Sequence, residues 1–257
     1  MDPPVLGWSP RSGNSYDPSV LESWLIDPDK LPLEKYPTLA DAYQSAGGQW
    51  ALVGGSFLTT TIMHDWCQAA AQRHPLPLVL FPGSAAHLTP AVQAVLFLFL
   101  ASGRNPQYLI THHLEAAPHL HRWGLEVIPT TYLLLDTGGP PTAAHYMTQT
   151  FALPTHKPEL IVAAALAGLY LGQRLLYVDA GSGAASPPTL EAIRALRALT
   201  PYPILVGGGI QTPQQLADLI HAGATFTVLG TLPEKHTPSR TFWEELFYAA
   251  QIPSPRC

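Results

Sequence analysis

The chain has 257 residues, 47 % of them apolar and 12 % charged, with a formal net charge of −5. That is enough apolar side chain for one large core, and with no run of Lys or Arg it excludes a nucleic-acid surface. The cysteines, Cys67 and Cys257, form neither a disulfide framework nor a zinc motif. The opening Met-Asp-Pro-Pro lacks the basic and apolar regions of a signal peptide, and the longest uncharged apolar stretches, Ala91–Ser102 and Leu160–Gly172, are shorter than the ~20 residues that span a bilayer. A soluble, cytoplasmic protein without a transmembrane segment is the expectation.

Residues 1–20 read as an N-terminal extension and residues 21–257 as one α/β domain. In chain order the strands are expected at Ser23–Ile26, Ala51–Gly54, Leu78–Phe81, Tyr108–Ile110, Glu126–Leu135, Leu175–Val178, Ile204–Val206 and Thr225–Leu229. Several carry apolar residues at both odd and even positions, which suits a parallel strand buried on both faces. Helix patterns lie between them at Leu39–Ala46, Thr60–Arg73, Pro90–Ala101, His113–Trp123, Pro158–Leu171, Pro188–Leu199 and Pro213–Ala222, and Arg240–Ala250 follows the last strand. Pro90, Pro158, Pro188, Pro213 and Pro238 stand at or near a helix start, where a missing N–H costs nothing. Eight strands alternating with eight helices predict a single (β/α)₈ TIM barrel, with a doubly wound open sheet as the competing layout. Asp136–Lys157 is a long connection of the kind that forms lids.

The residues with chemical potential lie where strands end. Tyr177-Val178-Asp179-Ala180-Gly181-Ser182-Gly183, Gly207-Gly208-Gly209-Ile210 and Gly230-Thr231 follow the sixth, seventh and eighth expected strands. Glycines there let main-chain N–H groups approach an anion without an intervening Cβ. Phosphate sites of this fold are frequently built from the last βα loops, and the following helices would add their N-terminal ends. Three such loops in consecutive units predict a phosphate-binding barrel. Tyr177 and Asp179 alternate inward on one strand end and suit a polyol. His112, His113, His119 and His121 lack a completing carboxylate or cysteine and read as surface residues. Gly181-Ser182-Gly183 is not a hydrolase elbow.

Five further segments join these loops. They are Leu25-Ile26-Asp27-Pro28-Asp29-Lys30 with Val53-Gly54-Gly55-Ser56, Leu80-Phe81-Pro82-Gly83-Ser84, Arg104-Asn105-Pro106, and Gly124-Leu125-Glu126-Val127-Ile128-Pro129-Thr130. The ordered set resembles the geranylgeranylglyceryl phosphate synthase family, which includes bacterial heptaprenylglyceryl phosphate synthases. The resemblance implies a prenyltransferase that joins the 3-hydroxyl of sn-glycerol 1-phosphate to a geranylgeranyl or longer chain, taken from its diphosphate, as an ether.

It implies Mg²⁺ held by Asp27 and Ser56, and a homo-oligomer, dimeric or hexameric. Glycerol 1-phosphate would lie on Tyr177, Val178, Asp179, Ala180, Gly181, Ser182, Gly183, Gly207, Gly208, Gly230 and Thr231. Asp179 and Tyr177 would act in catalysis, Asp179 by assisting removal of the nucleophile's proton. Asp29 offers a second carboxylate, and Ser56 could instead cap a helix near Thr59. One position departs: the family usually carries glutamate where this chain has Asp179, one methylene shorter.

A C₂₀ or longer chain also needs shelter from water, and Ala91–Leu100 with Tyr132 are the candidate groove walls. Transient membrane contact would fit such a substrate. Two rivals share the phosphate loops. A sugar-phosphate isomerase or aldolase would need a catalytic lysine or an acid/base pair at other strand ends, and Lys30, Lys35, Lys157 and Lys235 fall in loops or helix starts. A phosphate-binding homologue with weak turnover would fit the aspartate at 179.

Overall fold

The computed structural model describes residues 22–59, 62–236 and 238–251; the N-terminal extension, residues 1–20, and Cys257 lie outside the described residues. In chain order the elements are β1 (Glu22–Ile26), α1 (Tyr36–Ser45), β2 (Ala51–Val53), α2 (Met63–Arg73), β3 (Leu78–Leu80), β4 (Ala94–Leu100), α3 (Thr111–Trp123) and β5 (Glu126–Asp136). Then come α4 (Ala143–Thr148), β6 (Leu153–Pro154), α5 (Pro158–Tyr170), β7 (Leu175–Asp179), α6 (Leu190–Leu199) and β8 (Ile204–Gly207). The chain continues through α7 (Pro213–Ala222), β9 (Phe226–Leu229), α8 (Thr231–Lys235) and α9 (Arg240–Gln251).

Strands β1, β2, β3, β4, β5, β7, β8 and β9 pair in that order, all parallel, and β9 returns to β1 with Leu229 opposite Trp24. The fold is a closed (β/α)₈ barrel. The short β6 lies outside the ring, pairing with the end of β5 through Leu135 and Leu153.

The alternation of each strand divides the core in two. On β7, Leu175 and Tyr177 face the barrel interior, while Leu176 and Val178 face the helices. The interior also takes Leu52, Val79, Leu96, Ile128, Leu134, Leu205 and Phe226, and the helix-facing layer takes Ala51, Leu80, Leu133, Ile204 and Val206. Burial on both faces explains why these strands read as unbroken apolar runs. Closure between β9 and β1 is sealed by aromatic side chains: Trp24 lies 6.0 Å from Trp243 of α9, which meets Tyr43 of α1 at 4.8 Å. Among the described residues no helix is long and apolar enough to cross a membrane.

Two expected elements are corrected. Pro90–Ala101 is not a helix; most of it is β4, the fourth barrel strand. Tyr108–Ile110 is not a strand, since a 3₁₀ turn runs over Pro106–Tyr108 and α3 begins at Thr111. An all-apolar run has no period to separate helix from strand, so length and residue type decide. Seven residues that include Val95, Phe97 and Phe99, Ala94–Leu100, form a strand with Leu96 and Leu100 inward and Val95 outward. As a consequence the crossover from β3 to β4 contains only a 3₁₀ turn at Ala85–His87, and the helical ring has a gap. Pro158 and Pro213 do open α5 and α7, but Pro90 opens no helix. The Asp136–Lys157 connection is partly ordered, holding α4 and β6.

Where the ring is complete, helix and strand touch closely. Gly168 of α5 rests on β5, and a Cβ at that position would overlap the Thr131 side chain. Gly168→Ala should therefore overpack the interface, at a cost of about 1–3 kcal/mol. The thermal midpoint should fall by roughly 2–4 °C for each kcal/mol; an unchanged midpoint in calorimetry would contradict this packing.

Candidate active site

The parallel register between β5 and β7 sets the centre of the barrel mouth. Tyr132 stands opposite Tyr177, so Asp179, two residues further along β7, reaches the same inward face. Its carboxylate is only 7 % exposed, yet both oxygens are bonded. Asp179 Oδ2 accepts from the Tyr132 hydroxyl at 2.5 Å, and Oδ1 accepts from the Gly181 N–H at 2.8 Å. Burial raises the Asp179 pKa above the usual carboxylate value, while the Tyr132 and Gly181 bonds and the nearby His145 pull it back. Burial, reinforced by the charge of Asp179, pushes both Tyr132 and Tyr177 well above the usual phenol value. Both phenols therefore remain donors. Phe81 stacks on Tyr177 at 4.8 Å and lies 6.0 Å from Tyr132, completing an aromatic floor.

The glycine loops meet around this carboxylate. Ser182, Gly208, Gly209, Gly230 and Thr231 line one cavity of ≈ 290 Å³ together with Tyr177 and Asp179. Gly208 has φ +78, and a Cβ there would stand 2.7 Å from both Asp179 Oδ1 and the Gly181 nitrogen. Only glycine lets the β8 loop close onto the β7 loop in this way. Val178 faces the helices, the Ala180 N–H bonds Gly207 O, and Gly181 bonds Asp179. The amides of Ala180 and Gly181 are thus already used, and of the expected phosphate loops Ser182, Gly208, Gly230 and Thr231, with Gly209, line the cavity. Gly183 does not line the cavity. Helices α6 and α7 begin several residues beyond their glycines, and α8 is only five residues long.

Asp27 and Ser56, after the neighbouring strands β1 and β2, line the same cavity. Asp27 follows β1 in a turn in which its backbone oxygen accepts from Lys30 and Leu31 N–H and its Oδ1 accepts from the Asp29 N–H at 3.1 Å. Asp29 turns elsewhere, its Oδ2 accepting from both Thr59 N and Thr59 Oγ1. Ser56 is not a cap, because α2 starts only at Met63 with Ile62 before it. Lys30 also lines this cavity. Its Nζ lies 3.3 Å from Asp27 Oδ2 and 3.0 Å from Glu234 Oε2 of α8. Burial works against the ammonium, but Glu234 and then Asp27 more than offset it, so its pKa lies above the usual lysine value.

On the Ser56–Phe81 side the cavity meets an apolar cleft bounded by Pro82, Gly83, Leu98, Leu100, Tyr108, Tyr132 and Met147. Past Leu98 and Tyr108 the cleft continues between β4 and α3, along Val95, Phe97, Ala116 and Leu120, in the gap left by the missing third helix. Ala143 of α4 lines the polar cavity, and Ala144 and Met147 line the apolar cleft, so the connection expected to act as a lid covers both. Of the clustered histidines, His112 and His113 both line this cleft, His112 bonding Glu115 at 3.2 Å and His113 packing on Phe97, while His119 packs on Trp123.

Sequence reading missed three parts of this arrangement. The Tyr132–Asp179 bond spans 47 residues and the Lys30–Glu234 pair 204, so no local pattern carries either. The entry of α4 into the site gave one signal, the helix cap at Thr142, whose N–H donates to His145 Nδ1 at 3.1 Å.

Residues 23–245 match the PcrB family. The geranylgeranylglyceryl phosphate synthase of Spirosoma linguale is 38 % identical over 234 residues, covering 88 % of this chain and 93 % of the relative. The enzyme of the same name from Aeropyrum pernix is also 38 % identical, over 82 % of this chain and 85 % of the relative. Among solved structures, (S)-3-O-geranylgeranylglyceryl phosphate synthase from Thermoplasma acidophilum, in complex with its substrate sn-glycerol-1-phosphate, superposes with a TM-score of 0.83. That match covers 90 % of this chain and 93 % of the other, at 28 % identity. With 223 consecutive positions from β1 to α9 inside the match, the chain belongs to the PcrB family.

Proposed function

We propose that this chain transfers a long prenyl group from its diphosphate to the 3-hydroxyl of sn-glycerol 1-phosphate, forming an ether and releasing diphosphate. The observation that carries the reading is a polar, glycine-lined cavity that shares Gly55, Ser56 and Phe81 with an apolar cleft, Asp179 of the first being bonded to Tyr132 of the second. A charged polyol phosphate suits the first and a hydrocarbon chain the second. Burying the chain contributes about 0.8 kcal/mol per CH₂, so a cleft along β4 and α3 would hold the prenyl substrate mainly by its tail. The 91–100 segment assigned to the wall keeps that role as a strand, through Val95, Phe97, Leu98 and Leu100.

The phosphate of the acceptor sits against Ser182, Gly208, Gly209, Gly230 and Thr231. Its glycerol end then points along β7 to Asp179. An ionised carboxylate has about four acceptor sites, so each oxygen can accept one bond from Tyr132 or Gly181 and still receive the 3-hydroxyl proton. As the hydroxyl oxygen bonds to the allylic carbon, the carbon–oxygen bond to diphosphate breaks and the proton passes to Asp179. The Tyr132 hydroxyl keeps the carboxylate aimed, and Tyr177 donates toward the glycerol oxygens. The shorter aspartate is held at the end of β7 by two bonds.

Asp27 and Ser56 supply oxygen donors on the leaving-group side, which suit Mg²⁺, an ion that commonly takes one or two carboxylates and completes its shell with substrate phosphates. When bound, the ion would neutralise charge building on the diphosphate. Among the described residues no three His, Cys, Asp or Glu converge on a metal, so the substrate's own oxygens are part of this reading. A Schiff-base aldolase is disfavoured because Lys30, the lysine lining the cavity, is held protonated between two carboxylates. We also read the chain as a homo-oligomer, since Ile110, Leu114, Tyr146 and Phe151 are exposed apolar side chains; sedimentation measures this directly.

The reaction is tested by incubating the protein with Mg²⁺, labelled glycerol 1-phosphate and prenyl diphosphates of graded length. A lipid-extractable ether is the expected product, and binding of glycerol 1-phosphate without any product would refute the reading. Asp27→Ala should abolish Mg²⁺-dependent turnover and leave glycerol 1-phosphate affinity within about twofold; a joint loss would remove Asp27 from the metal role.

A third expectation concerns pH. Asp179 acts as the ionised base, and its pKa is already raised by burial. Tyr132→Phe deletes a bond that favours the charged form, so the pKa rises further and activity fails at higher pH than in wild type. A hydrogen bond to a charged group is worth about 1.5–3 kcal/mol, and about 1.4 kcal/mol moves a pKa by one unit. The acid limb of kcat/KM should shift upward by about one to two units; an unmoved limb would show that Asp179 is not the titrating base.

A further inference from the structure

The cavity that must hold two anions is lined by three carboxylates, Asp27, Asp179 and Glu234, and, among the described residues, by one cationic side chain, Lys30. The glycine loops offer amides for a phosphate on one wall. Beside the β9 loop, where the diphosphate would lie near Asp27 and Ser56, the lining presents Asp27 and Glu234 as negative charges. A diphosphate there needs a cation supplied by the protein, and the geometry holds one ready.

We propose that Lys30 is the protein counter-ion of the leaving diphosphate, parked between Asp27 and Glu234 until Asp27 is engaged and then turning to the diphosphate oxygens. This rests on the prenyl-transfer reading above. The Lys30 side chain is 47 % exposed and its Nζ reaches Asp27 Oδ2 at 3.3 Å, Glu234 Oε1 at 3.1 Å and Glu234 Oε2 at 3.0 Å. Those contacts match the three donors of an ammonium on a flexible stem. Ion pairs this exposed contribute little to stability, so exchanging one partner for a diphosphate oxygen costs little. The Glu234 contact anchors the lysine at the cavity wall, and it competes with the ligand for the same charge.

That competition gives a test of opposite signs. Binding of inorganic diphosphate in the presence of Mg²⁺, measured by calorimetry, should weaken about tenfold or more in Lys30→Met, as expected for loss of a charge-assisted contact. In Glu234→Gln it should tighten severalfold, because the ammonium loses its rival partner. Lys30→Arg, which keeps the charge, should retain most of the affinity and covers the case in which Lys30→Met fails to fold. Glycerol 1-phosphate affinity should stay within about twofold in all three. If Lys30 merely ties the loop after β1 to α8, Lys30→Met and Glu234→Gln would change diphosphate binding in the same direction, which overturns the proposal. A loss confined to glycerol 1-phosphate binding overturns it as well. Turnover of the wild type in the same series separates the two claims. Normal ether formation with unaltered diphosphate affinity in Lys30→Met removes Lys30 alone, whereas no ether from the wild type removes the reaction.

Discussion

The site depends on keeping a carboxylate ionisable where the barrel leaves it almost no water. An uncompensated buried carboxylate would bind a proton or unfold its surroundings. The Gly181 N–H and the Tyr132 hydroxyl each donate to one oxygen of Asp179 and favour its charged form against the burial that raises its pKa. The arrangement is over-determined. Tyr132 is buried too, so its phenol stays a donor; Phe81 packs against Tyr132 and Tyr177; and the left-handed Gly208 brings the next loop against the same carboxylate. The parallel register of β5 and β7 produces the geometry, since placing Tyr132 opposite Tyr177 leaves Asp179 one pleat higher on the inward face.

The second structural decision is the missing helix after β3. In a complete ring the outward side chains of β4 would be roofed. Here a 3₁₀ turn at Ala85–His87 leaves Val95 and Phe97 beside an open cleft that runs from the polar mouth toward α3. In the proposed reaction, water-seeking and water-avoiding parts of the substrates would be separated by strand identity, with the phosphate on β7, β8 and β9 and the hydrocarbon on β4. Helix α4 spans the boundary, with Ala143 on one side and Met147 on the other.

What the sequence revealed follows from how local each signal is. The glycines after β7, β8 and β9 stand in runs next to apolar strands, so their role at the barrel mouth could be read directly, as could the inward alternation of Tyr177 and Asp179. Ala94–Leu100 could not be typed by period, because a strand buried inside and packed outside shows no alternation, and its shortness and two Phe were the cues that mattered. Tyr132 was legible as an apolar wall but not as the partner of Asp179, and Lys30 was legible as a loop residue but not as a neighbour of Glu234. Both contacts are created by closing the ring, which brings distant segments together only after every strand is in register. The same closure explains why the aspartate at 179 looked like a deficit in the chain and is a carboxylate with a bond to each oxygen in the fold.

The most direct test of the central claim is a crystal structure with sn-glycerol 1-phosphate bound. The account predicts the phosphate against Ser182, Gly208, Gly209, Gly230 and Thr231, with the 3-hydroxyl within hydrogen-bond distance of Asp179 and facing the cleft past Phe81. A phosphate seated instead beside Asp27 and Lys30, or a 3-hydroxyl directed away from Asp179, would contradict it.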